Sequence, residues 1–264
     1  MDPPPIPVVL VFGGTDPTGG AGLQADIETI AALGAHAAPV VTAVTVQDTT
    51  NVVDFAPQPG RFVTQQAMRV LEDIPVSAIK IGMAGTVEVI EAIHSVLCEH
   101  PRIPTVLDPV LSAGGGGALS EGAFAAAIRE LLIPRTTLAT PNSQEARSLA
   151  PGGATLPACA ADLIEDGARF VLVTGTHEDT EAVTNTLYDA SGPIDAGHWE
   201  RLPGSYHGSG CTLASAIAAL LANGRDAATA SREAQRYTWN ALKNGFRPGR
   251  GQRLPDRFFS TRRT

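Results

Sequence analysis

A doubly wound, mostly parallel α/β sheet flanked by helices is the fold this sequence predicts, with an antiparallel hairpin late in the chain. Three observations carry that expectation. Short continuous apolar runs such as Pro7–Phe12 and Phe170–Val173 read as strands buried on both faces. Stretches with helical apolar spacing separate those runs, so strands and helices alternate. Gly14, Gln47, Met83, Asp108 and Asn142 each fall just after a strand candidate, at the edge where such sheets bind ligands.

In chain order, Pro7–Phe12 ends in Gly13-Gly14 and opens a loop over Thr15–Gly20. A helix follows from Ala21 to Leu33 and stops at Gly34. The spacing predicts a strand over Ala38–Val46, a helix over Arg61–Glu72 and a strand over Ala78–Gly82. A helix over Thr86–Glu99 leads to the strand Thr105–Asp108. A glycine-rich loop, Ser112–Gly117, leads to a helix over Glu121–Leu132. A short strand over Thr137–Ala139 runs into Pro141-Asn142 and a helix from Ser143. After Phe170–Val173, the segments Asn185–Tyr188 and Trp199–Leu202 around a turn at Ala190–Gly192 predict the hairpin. Helices after Cys211 and over Asp226–Lys243 complete a single domain spanning 1–264, with 1–6 as a flexible lead.

Composition narrows the function classes. The chain has 264 residues, 44% of them hydrophobic and 17% charged, which is ample for a core and unlike a disordered chain. A formal charge of −8 argues against nucleic acid and anionic membrane as partners. No apolar run approaches the roughly 18 residues of a membrane span, and Met1-Asp-Pro-Pro-Pro5 is unlike a signal peptide. Three cysteines without a CxxC fit a reducing compartment, so a cytoplasmic protein is expected.

The chemistry concentrates around Gly204–Thr212, where Gly208-Ser209-Gly210 opens into the helix beginning near Cys211. A glycine turn entering a helix aims N–H groups and the helix dipole at one place, which makes an anion hole. That setting would favour a Cys211 thiolate; equally, Cys211 could be a small core residue. Glu145, three residues after Asn142, fits a capping box. Together with Asp108 it also fits a water-mediated Mg²⁺ site. Asp16 before Pro17 reads as turn chemistry, Asp26 as solvated surface or a ligand contact, and Lys80 as a buried, paired charge. Gly20–Ala25 matches the dinucleotide pattern GxGxxG/A, the mark of a nicotinamide oxidoreductase. Here Gly14–Gly19 separate it from the strand, whereas the fingerprint starts at the strand's own turn. No P-loop is present.

Taken together, Gly14–Asp26, Val41–Gln47, Lys80–Met83, Leu107–Val110, Thr140–Glu145 and His207–Thr212 resemble segments of the ribokinase-like small-molecule kinases. Within that superfamily the resemblance is to the hydroxymethylpyrimidine/phosphomethylpyrimidine kinases of thiamine biosynthesis. It implies that Gly14, Asp26 and Gln47 contact an aminopyrimidine, with Met83 and Val110 as apolar walls. It further implies that Asp108 and Glu145 serve Mg²⁺ and the ATP phosphates, and that Asn142, Thr174 and His177 lie on the nucleotide side. Gly208, Ser209 and Gly210 would receive the phosphoryl group, and Cys211 stands where related sugar kinases carry an aspartate base. The resemblance implies a homodimer, and a pyridoxal kinase of the same fold is the alternative. One departure is plain: the family's Lys-Gly-Gly-His is replaced by Thr174-Gly-Thr-His177. Phosphate neutralisation then rests on Mg²⁺, the anion hole and His177.

Overall fold

A computed structural model describes residues 5–111 and 118–261. The glycine-rich loop over Ser112–Gly117 and the first four residues lie outside the described residues. The strands are β1 (Val8–Thr15), β2 (His36–Gln47), β3 (Val52–Pro57), β4 (Val76–Ile81), β5 (Thr105–Leu107), β6 (Leu138–Ala139), β7 (Phe170–Thr174), β8 (Ala182–Asp189) and β9 (Gly192–Glu200). They form one sheet in the order β3-β2-β1-β4-β5-β6-β7-β8-β9. The six central strands are parallel, while β3 at one edge and β8–β9 at the other run antiparallel.

Alternate residues of β1 feed two cores, as a strand buried on both faces requires. Leu10 and Phe12 join one, Val9 and Val11 the other. The first core is closed by α2 (Gly60–Asp73), α3 (Val87–Glu99), α4 (Ala118–Ala127), α5 (Ser143–Leu149) and α6 (Leu156–Glu165). The second is closed by α1 (Gly22–Ala32), α7 (Ser209–Ala222) and α8 (Ala227–Lys243). Helix α7 suits this central position because alanines fill one side and Leu213, Ile217 and Leu220 are buried with them.

The alternation and the late hairpin match the sequence expectation, with three differences. Strand β3 was not expected, because its side chains are exposed or half-buried and show no apolar alternation (Val53 is 75% exposed). Helix α6 was missed as well. It is short, has Pro157 in its first turn, and starts at Thr155, whose side chain accepts from the Ala158 N–H. The second hairpin strand begins at Gly192 rather than near Trp199, since Pro193 and Gly197 obscure its period.

The C-terminal tail holds the ligand edge together. Arg257, 2% exposed, donates to the carbonyl oxygens of Gly19 and Gly20, to Thr212 Oγ1 at 3.1 Å and to Glu28 at 3.0 Å. It therefore ties the 15–21 loop and α1 to the first turn of α7. Removing it leaves buried carbonyls without their charged donor, an effect of roughly 2–3 kcal/mol. Arg257→Met should lower the urea midpoint accordingly, and an unchanged midpoint would show that the tail is not a brace.

Candidate active site

The site forms where the carboxyl ends of β1, β2, β4, β5, β6 and β7 meet the start of α7. Gly208 caps α7 in the left-handed region (φ 82°), and a Cβ there would lie 1.8 Å from the Gly20 carbonyl oxygen. Only glycine permits that crossing. Gly22 (φ 57°) makes a matching approach, its absent Cβ 2.3 Å from the Gly14 carbonyl oxygen. Thr212 fixes the turn by donating to the Gly208 carbonyl at 2.8 Å. The expected glycine turn into a helix is thus formed, with Ser209 and Gly210 in its first turn.

Asp16 does the turn work expected of it. Its carboxylate accepts from Thr18 N and Oγ1 and from Ala21 N, and His207 Nε2 lies 3.0 Å away. Although burial opposes ionisation, these partners hold the carboxyl down at about 2. The His207 contact joins the glycine loop to the approach of α7, so Asp16 braces the site from within.

One wall gathers the residues expected to face a ring. A Cβ on Gly14 would lie 3.0 Å from Met83 Sδ and 3.8 Å from Thr45 Cγ2. Thr42 Oγ1 donates to the Met83 carbonyl at 2.5 Å. Gln47 Nε2 donates to Thr45 Oγ1 at 2.7 Å, and that hydroxyl donates to the Thr15 carbonyl at 2.7 Å. Among the described residues, the amide oxygen and second N–H of the half-buried Gln47 have no partner.

Beneath this wall lies a buried charge cluster. Asp26 is fully buried, which excludes the solvated-surface reading of it. Its Oδ1 accepts from Lys80 Nζ at 2.8 Å and from Ser215 Oγ at 2.6 Å, while Oδ2 has no partner among the described residues. Lys80 is the buried, paired charge that its strand position suggested. Burial alone would lower its pKa, but Asp26, Cys211 and Asp108 raise it overall. Lys243, the other lysine, lies over the Trp239 ring at 4.9 Å, so both lysines are engaged.

On the opposite wall, Asp108 follows β5 and is 5% exposed. A Cβ on Gly210 would stand 3.6 Å from its Oδ1, so the carboxylate faces the first turn of α7. Burial raises the Asp108 pKa, with Lys80 opposing, Asp26 adding to the rise and the Cys211 thiol donating a hydrogen bond. Glu145 is in the expected capping box: Asn142 Oδ1 accepts from Glu145 N at 2.9 Å, and Glu145 Oε2 accepts from Asn142 N at 2.9 Å. Burial and then the Asp108 charge push Glu145 up to about 8. The cap and the carboxylate pair therefore coexist. Val110 continues this wall, its N–H bonded to the Asp108 carbonyl. Among the described residues no group of three or more His, Cys, Asp or Glu side chains could enclose a metal.

Cys211 corrects the expectation of a thiolate. It is half-buried, and burial pushes the thiol up to about 12. Lys80 and the Gly22 N–H work against that rise, while Asp108 and Asp26 reinforce it. Burial, reinforced by the two carboxylates, outweighs Lys80 and the Gly22 N–H, so the resting group is the thiol. On the third side, Thr174 ends β7 beside Asn142. His177 is exposed in the loop beyond it, next to Glu178, which Arg147 binds through both nitrogens at 2.8 and 3.0 Å. Arg201 donates to the carbonyls of Thr176, Glu178 and Thr180, so two arginines order this loop. Sequence reasoning missed Arg201 and Arg257, whose partners are far away in the chain, and no local pattern marks them.

Known proteins of similar sequence and fold identify the family. Residues 16–256 match the family profile described as Phosphomethylpyrimidine kinase. A hydroxymethylpyrimidine/phosphomethylpyrimidine kinase of Streptomyces coelicolor is 38% identical over 258 residues, covering 94% of each chain. An ADP complex of Bacillus subtilis pyridoxal kinase superposes with a TM-score of 0.88 at 28% identity, over 96% of this chain and 98% of that one. A phosphomethylpyrimidine kinase from Clostridium difficile gives 0.77 at 30% identity, over 90% of this chain and 100% of the other. The chain belongs to the phosphomethylpyrimidine kinase family.

Proposed function

We propose that the chain is an ATP-dependent kinase of thiamine biosynthesis that phosphorylates 4-amino-5-hydroxymethyl-2-methylpyrimidine and then its monophosphate. The observation that carries this reading is a single edge holding both halves of the chemistry. Gln47, Gly14 and Met83 form a polar and apolar wall suited to an aminopyrimidine, close to a thiol–carboxylate pair at a helix start. Gln47 offers a donor and an acceptor to the ring, the unpartnered Asp26 Oδ2 an acceptor for its exocyclic amine, and Val110 the facing apolar contact.

Phosphoryl transfer needs positioning and charge stabilisation more than covalent chemistry. The N–H groups of Gly208, Ser209 and Gly210, with the dipole of the 14-residue α7, would hold the transferring group. Because proton loss from the alcohol comes late in a loose transition state, a resting thiolate is not required. Cys211 Sγ would take the alcohol proton while passing its own to Asp108, whose charge already acts on the thiol. Asp108 and Glu145 are two buried carboxylates that repel each other, a donor set that fits Mg²⁺ completed by water and phosphate oxygens. When bound, the ion would neutralise phosphate charge. Asn142, Thr174 and His177 would line the nucleotide side without a lysine.

Three unpaired cysteines suit a single-domain enzyme of the reducing cytoplasm. No helix among the described residues is long and apolar enough to cross a membrane. A homodimer would cover the exposed Val44, Val46 and Val53 on the β2–β3 edge. The second reading, a pyridoxal kinase, is favoured by the higher TM-score of the Bacillus subtilis enzyme.

Incubation with ATP, Mg²⁺ and each alcohol, followed by product mass analysis, separates the two readings. Pyrimidine mono- and diphosphate are expected, and pyridoxal phosphate as the main product would overturn the proposal. Gln47→Ala should weaken pyrimidine binding about ten- to a hundredfold, from the roughly 1–3 kcal/mol of an unpaired polar group, with ATP affinity unchanged.

Glu145 makes a separate pH prediction. Its folded-state value of about 8 exceeds the ordinary 4.5, so its contribution favours the fold below 4.5 and is lost as pH rises towards 8. Metal-free protein should lose thermal stability across that window, Mg²⁺ should restore it, and Glu145→Gln should flatten the profile. An identical profile in the variant would remove Glu145 from the carboxylate pair.

A further inference from the structure

A second site lies at the opposite edge of the sheet, where the strands begin. A cavity of about 160 Å³ opens beneath the first residue of β5 and the residues that precede β6 and β7. Its lining includes His100, Arg135, Thr137 and Arg169, and no acidic residue. Among the described residues neither Arg135 nor Arg169 has a carboxylate partner; Arg169 only stacks over the Phe170 ring at 5.4 Å. His100 Nε2 is buried with no hydrogen-bond partner. Thr137 Oγ1 accepts the Thr105 N–H at 3.0 Å, which leaves its own O–H to donate.

The chain carries a net charge of −8, and eight of its other arginine and lysine side chains are paired with carboxylates. Two guanidinium groups without a carboxylate partner and an orphaned imidazole nitrogen thus meet around one cavity whose lining holds no acidic residue. Every polar group named here can donate, and guanidinium groups bind tetrahedral oxyanions through paired N–H donors. An unpartnered buried ring nitrogen is costly until something satisfies it. We propose that this cavity is a binding site for a phosphate group, remote from the catalytic edge and formed by Arg135, Arg169, His100 and Thr137. The volume suits inorganic phosphate or the phosphoryl end of a small monoester, with the rest of the ester in solvent. The inference does not depend on which alcohol the catalytic edge phosphorylates, since no residue is shared between the two sites.

Titration of ¹⁵N-labelled protein with inorganic phosphate, and separately with glycerol phosphate, tests it through the amides of His100, Arg102, Ile103, Thr105, Arg135, Thr136 and Thr137. Sodium chloride at matched ionic strength is the control. Saturable shifts with phosphate, weakened at least tenfold in Arg135→Ala/Arg169→Ala, are expected. Saturation by phosphate but not by the ester identifies the free ion as occupant, and saturation by both identifies a phosphoryl group. Both arginines are exposed, so the variant should fold; Arg135→Gln/Arg169→Gln provides the same reading with the stems retained. Shifts that are absent, that chloride reproduces, or that both double variants retain would overturn the proposal.

Discussion

The buried ion pair between Lys80 and Asp26 is the interaction on which the ligand edge depends. It joins the end of β4 to α1, and Ser215 adds α7 through the same carboxylate oxygen. Losing one partner of such a pair costs about 3–5 kcal/mol, because the other charge is left buried and alone. Its influence extends beyond stability. Lys80 draws down the pKa values of both Asp108 and Cys211, while Asp26 pushes both up. One lysine faces two aspartates and a thiol, with Glu145 coupled to the far side through Asp108. The cluster is short of positive charge. A proton held on sulfur is one way to correct that.

A second constraint is steric. The glycine loop and the start of α7 cross so closely that Gly20 and Gly208 touch backbone to backbone. Such an approach needs ties on both sides. Asp16 and His207 supply one, and Arg257 supplies the other through the Gly19 and Gly20 carbonyls and Thr212. The N–H groups of the α7 turn are thereby set in place before any ligand arrives, which is what preorganised charge stabilisation requires.

The fold was legible in the sequence where burial imposed a pattern. Strands β1 and β7 are apolar on both faces and announce themselves as continuous runs. Strand β3, exposed along its length, carries no such pattern. Much of the candidate site's geometry was legible because local pattern marks it: Asp108 follows β5, Asn142 caps α5, and Gly208-Ser209-Gly210 opens α7. The protonation of Cys211 was not. Local sequence shows a helix start, which favours a thiolate, but the burial that reverses the balance comes from packing distant in sequence, with the carboxylates of Asp26 and Asp108 adding to it. Arg257 was hidden for the same reason, since its partners lie more than 200 residues away for Gly19, Gly20 and Glu28.

The most direct test of this charge balance is the titration of the Cys211 thiol itself. The rate of alkylation at each cysteine, resolved by peptide mass analysis across pH, reports it in the intact protein. Cys211 should stay unreactive at neutral pH and gain reactivity only as pH climbs towards about 12. Asp108→Asn should bring the rise to lower pH by removing a neighbouring negative charge. A Cys211 that is fully reactive at pH 7 would contradict the account, because its buried carboxylates could not then be governing the site.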